Sequence, residues 1–67
     1  MLIEKVYLLA LARLGLSSIA VAHELGVHHS TLSRWVRNWY PVPIAFRGRL
    51  AEILELNTQE LFEGVPS

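Results

Sequence analysis

The chain has no cysteine, which removes a disulfide framework and every thiolate metal site from consideration. Its 67 residues carry no net charge, so a uniformly basic nucleic-acid-binding surface is excluded. No segment alternates apolar and polar residues as a half-buried strand would. The longest apolar run near the start, "VYLLALA", is too short to span a bilayer and is flanked by Lys5 and Arg13. It also does not read as a signal peptide. Glycine-rich phosphate loops, internal repeats and linkers are missing as well. A chain of this length lies near the lower limit for a self-supporting core. The expectation is a single cytoplasmic domain over 1–67, with no cofactor, no metal and no membrane association.

What the sequence does have is apolar residues, 52 % of the total, recurring at helical spacing. A first helix is expected over about 2–14. Gly15 can then leave it in a left-handed conformation, and Ser17 or Ser18 can cap a second helix over 18–25, which stops at Gly26. A third is expected over 29–38, with Leu32, Trp35, Val36 and Trp39 as its buried stripe. After "YPVP", a fourth helix starts with Pro43 in its first turn and turns Phe46, Leu50, Ile53 and Leu54 inward. Gly48 in its interior costs about 1 kcal/mol relative to alanine, which a close approach by another backbone would explain. Asn57 and Glu60 read as a capping pair for a short fifth helix, closed by Gly64 and Pro66.

The stretch "SIAVAHELGVHHSTLSRWVR", residues 18–37, concentrates the functional signal. Ala22 is small where two helices must meet. Gly26, four residues on, suits a turn of positive φ, and Leu32 and Trp35 follow six and nine residues beyond it. With Val21, Leu25 and Val27 also facing inward, this is the spacing of a helix-turn-helix. The segment resembles the lambda-repressor-like family, also called the xenobiotic-response-element family. "PIAFRGRLAEILELNTQELFEG" looks like that family's fourth and fifth helices, so the likeness covers about residues 10–64. Short phage regulators of the Ner type share much of the pattern.

The resemblance implies an all-α bundle of about five short helices that binds double-stranded DNA. It places Ser18 against a phosphate or neighbouring base, and His28, His29, Ser30 and Thr31 on the exposed first turn of the recognition helix. Ser33 and Arg34 fall on the next turn, and Arg37 on the one after. Chemistry points the same way. His29, Ser30, Ser33 and Arg34 offer donors and acceptors to base edges, Arg34 as a bidentate partner of guanine. His28, Thr31, Arg37, Asn38, Arg47 and Arg49, with Ser18, are candidate phosphate contacts that set register.

Two places depart from the family pattern. Many members bury an arginine–glutamate pair where this chain has Leu11 and Val36. Losing both charges together avoids stranding one in the core at about 3–5 kcal/mol. A Ser, Thr or Asp cap is commoner than His28 at the third helix's start.

Arg34, Arg37, Arg47 and Arg49 lie in a stretch without carboxylates, and Glu52, Glu55, Glu60 and Glu63 follow without a base. The acidic stretch is expected to face away from DNA. His23, His28 and His29 have no carboxylate or thiolate support, so solvent-facing or DNA-facing imidazoles are a better reading than a metal site. No nucleophile–base arrangement supports catalysis.

The expected function is a small, non-enzymatic transcriptional regulator, a repressor of phage or mobile-element type, acting as a dimer on a pseudo-palindromic operator. Leu2, Ile3, Val6 and Leu9, with Leu61, Phe62 and Val65, are the candidate dimer surface. The rival is a protein-interaction module of antitoxin or antirepressor type, docking on a protein partner.

Overall fold

A computed structural model describes residues 1–62. Five helices follow in order: α1 (Glu4–Leu14), α2 (Ser18–Leu25), α3 (His29–Val36), α4 (Ile44–Ile53) and α5 (Thr58–Leu61). Among the described residues there is no strand, only one isolated antiparallel bridge between Leu2 and Phe62. The all-α architecture expected from the periodicity is therefore present. α1 and α2 are bent by 97° at their break, α2 packs on α3 and α4, and α5 closes on α1 and α4. Among the described residues no single helix is long and apolar enough to cross a membrane.

One device ends four successive helices. In each, an N–H two or three residues past the helix bonds back to a carbonyl five residues earlier. The bonds are Leu16 to Leu11 (3.0 Å), Val27 to Ala22 (3.0 Å), Trp39 to Arg34 (2.9 Å) and Leu56 to Ala51 (2.8 Å). The pattern needs a left-handed residue in between. Gly15 and Gly26 supply it at φ 67° and 78°, but the other two are Asn38 at 61° and Glu55 at 57°. Asparagine tolerates this region and glutamate does not.

The helix starts are equally local. Ser17 accepts from the Ala20 amide at 3.1 Å, while Asn57 and Glu60 form a reciprocal box, at 2.9 and 3.2 Å. That pair was expected, as was the cap from Ser17; Gly64 and Pro66 lie outside the described residues. α1 begins two residues later than expected because the backbone of Leu2 and Ile3 is engaged elsewhere. The side chain of Asn38 clamps Leu2, donating from Nδ2 to its carbonyl at 3.0 Å and accepting from its amide at 3.2 Å. The Ile3 amide donates to the Leu61 carbonyl at 2.8 Å.

The core takes side chains from every element, with Leu2, Tyr7, Leu32, Leu50, Leu54 and Leu61 fully enclosed. Leu11 and Val36, the two aliphatics read as a departure from the family pattern, are both buried. Phe46 and Ile53 pack on this core only in part. Gly48 has nothing within 4 Å of where a Cβ would stand, so the close backbone approach invoked for it is absent.

Two substitutions in this region should therefore stabilise. Gly48→Ala removes a glycine from the interior of a helix, and Glu55→Gly relieves a left-handed glutamate; each is expected to add about 0.5–1 kcal/mol. A Cβ at Gly48 meets nothing within 4 Å, so the two sites share no partner there and the gains should add. Thermal melting of the double variant should rise by about 4–8 °C per kcal/mol gained. An unchanged midpoint for Glu55→Gly would mean the backbone bears no strain there.

Tyr7 is fully enclosed, and its hydroxyl lies 2.7 Å from Ser18 Oγ. Burial raises its phenol above the ordinary value of 10.0, and the Ser18 hydrogen bond offsets part of that. As pH rises past 10.0 the unfolded chain ionises Tyr7 first. Stability should then fall until the folded phenol also ionises. Urea midpoints measured against pH should show this decline, and it should be shallower in Tyr7→Phe. Equal steepness in both would remove Tyr7 as its origin.

Candidate nucleic-acid interface

α3 begins on an unusual cap. His28 Nδ1 accepts from the Ser30 amide at 3.2 Å and lies 2.7 Å from Ser30 Oγ. An accepting Nδ1 puts the proton of the neutral ring on Nε2, leaving an N–H donor for an outside acceptor. The His29 ring sits against it, centroids 4.5 Å apart and tilted by 31°. Histidine thus does here what Ser, Thr or Asp does more often.

From this start the helix divides sharply. Leu32 is 0 % exposed, Trp35 6 % and Val36 8 %. Trp35 packs beside Phe46 with ring centroids 5.5 Å apart, which fixes the roll of α3 against α4. At about 100° per residue, His29, Ser30, Ser33, Arg34 and Arg37 then fall within an arc of about 140° on the other side. His29, Arg34 and Arg37 are exposed, and Ser30, Thr31 and Ser33 half-buried. Among the described residues α1, α2 and α4 are each less strongly two-faced. The turn that sets α3 on α2 is Gly26, Val27 and His28.

The remaining candidates fare differently. Ser18 stands at the start of α2, but its hydroxyl is paired with Tyr7. Asn38, expected on a phosphate, instead spends its amide on Leu2. Arg47 donates from Nε to the Val42 carbonyl at 3.0 Å and lies over the Phe62 ring at 5.4 Å. Its half-buried stem is structural packing. Arg49 reaches across to the Glu24 carbonyl at 3.0 Å, tying α4 to α2 at the surface. Arg13 hydrogen-bonds the Leu54 carbonyl at 3.4 Å. Glu52, Glu55 and Glu60 are exposed.

Four expectations are corrected by burial. Leu2, Leu61 and Phe62, offered as dimer surface, are 1 %, 0 % and 3 % exposed, because the bridge between the two ends of the chain carries them into its own core. Trp39, expected inside, is 64 % exposed, because α3 ends at Val36 and the left-handed Asn38 turns the chain out of helical phase. Of the other dimer candidates, Ile3 and Val6 are half-buried and Leu9 is exposed beside Leu8. Val65 lies outside the described residues.

The feature missed from sequence is the pair that Trp39 makes with Arg37, whose guanidinium carbon is 5.4 Å from the indole centroid. Asn38 followed by Pro41 is a helix-end signature, and it would have taken Trp39 off the helix. No group of three or more His, Asp or Glu side chains gathers as a metal site among the described residues. Compared with family models, curated proteins and solved structures, the chain finds no match in any of the three.

Proposed function

We propose that the chain is a sequence-specific DNA-binding regulator of transcription, a small non-enzymatic repressor of phage or mobile-element type resembling the lambda-repressor-like proteins. The observation that carries this reading is the division of α3, with Trp35 and Leu32 enclosed and His29, Arg34 and Arg37 presented outward. A helix packed on one side and rich in donors on the other fits the major groove. Arg34 and His29 would meet base edges, with Ser30 and Ser33 beside them, while His28, Thr31 and Arg37 would hold phosphates. Ser18, Asn38, Arg47 and Arg49 become secondary, since they lie off α3 and each already has a polar partner within the chain.

One recognition helix on a molecule without net charge binds weakly, and two linked half-sites multiply its affinity. Each copy measures 28 × 23 × 18 Å, so two side by side can reach successive major grooves about 34–36 Å apart. With Leu2, Leu61 and Phe62 enclosed, the dimer surface shifts to the outer side of α1, around Leu8 and Leu9. The test is retardation of a duplex carrying the DNA that flanks its own gene, at low salt. The parent should shift it and Arg34→Ala should fail at the same concentration.

A second reading, a module that docks on a protein partner, is favoured by one observation. Leu8, Leu9, Ile19, Trp39, Tyr40 and Ile44 are all more than half exposed, an excess of apolar surface for so small a domain. Absence of any shift, together with a co-purifying partner, would select it.

A further inference from the structure

Trp39 has no core to support. It is 64 % exposed, yet its backbone is fixed by the hydrogen bond its amide donates to the Arg34 carbonyl at 2.9 Å. Its ring carries the guanidinium of Arg37 at 5.4 Å, and Arg37 is itself exposed. Residues 34–49 contain no carboxylate to compete for that cation. An arginine held over an aromatic face by cation–π attraction keeps its N–H groups available to a further acceptor. Holding a long side chain in place beforehand lowers what ordering it costs on binding.

Arg37 lies one helical turn past Arg34 on the same side of α3, at the C-terminal end. In a helix whose N-terminal residues meet the bases, that end lies beside the sugar–phosphate backbone. We propose that Trp39 is a positioning residue for Arg37, presenting its guanidinium edge to a DNA phosphate beside the groove. This rests on the reading of α3 as the DNA-contacting helix and adds to it an element outside the helix.

Because a phosphate contact carries no sequence, the probe is duplex DNA of mixed sequence, about two helical turns long, titrated across a series of low salt concentrations. Trp39→Ala should weaken binding about two- to fivefold without lowering the melting temperature. Arg37→Ala should reduce the slope of log affinity against log salt by about 0.9. In the Arg37→Ala background, Trp39→Ala should change nothing further, and Trp39→Phe, which keeps a ring, should restore most of the loss in the parent.

Trp39→Ala binding as tightly as the parent would overturn the assignment, as would an equal loss with and without Arg37. In either case a persisting effect of Arg34→Ala leaves the DNA reading intact. If the parent binds no duplex at any salt, both fall, and the stacked cation is left to an acidic protein surface.

Discussion

A Trp35→Ala chain is expected to lose about 3–5 kcal/mol and be largely unfolded at room temperature, while Arg34→Ala, one residue away, melts within about 0.5 kcal/mol of the parent. The first half follows from position. Trp35 is 6 % exposed and its ring meets Phe46 across the α3–α4 seam, so truncation opens a cavity where two helices join. A core this small rarely supplies more than about 3–5 kcal/mol in all, which leaves no margin. Trp35→Phe keeps an aromatic partner for Phe46 and should cost much less. The second half follows from exposure, since Arg34 lies on the outward arc of the same helix. Urea titration followed by circular dichroism reads both. A Trp35→Ala protein that melts like the parent would show that the inner side of α3 does not hold the helix. An Arg34→Ala protein losing several kcal/mol would place that arginine in the packing.

Asn38→Ala is the second large effect, at about 2–3 kcal/mol. Two causes add. Alanine at φ 61° bears a left-handed penalty of about 1 kcal/mol. Both hydrogen bonds to Leu2 also vanish, each contributing about 0.5–1.5 kcal/mol and less where water reaches them. Asn38→Gly separates the causes: it restores the backbone and loses only the clamp, so it should cost about 1–2 kcal/mol. Equal losses for alanine and glycine would show that φ contributes nothing. A loss under about 0.5 kcal/mol for alanine would show that the clamp and the turn are both dispensable. Because Leu2 bridges to Phe62, amide exchange in Asn38→Ala should also quicken at Ile3, whose donor bond to Leu61 neighbours the clamp.

Most helix ends were legible because their causes are local. Gly15, Gly26, Ser17 and the Asn57–Glu60 pair act within a few residues of themselves, and each stands where its chemistry is commonest. Glu55 escaped because a glutamate announces no left-handed geometry, whereas Asn38 with Pro41 carried a helix-end signal that the apolar phase of Trp39 overrode. The ends of the chain were misread for a different reason. Leu2, Leu61 and Phe62 look like spare apolar residues until the two termini are joined, and a pairing across 60 positions leaves no periodic trace. Among the site candidates, the outward arc of His29, Ser30, Ser33, Arg34 and Arg37 follows from helical phase and was readable. The commitments of Arg47 to Val42 and of Arg49 to Glu24 depend on which helices meet, and so were not. Trp39 was assigned to the core by phase alone, which ceases to apply once Asn38 leaves the helix.

The central claim is that the outward arc of α3 reads bases. Its most direct measurement is the affinity of the parent and of Arg34→Ala across duplexes that differ from the preferred site at one base pair each. If Arg34 grips a base, the parent should discriminate by about 1–3 kcal/mol at one position per half-site, and Arg34→Ala should lose that preference there while keeping it elsewhere. A loss spread evenly over all duplexes would reduce Arg34 to a phosphate contact, and a parent without preference at any position would contradict the claim itself.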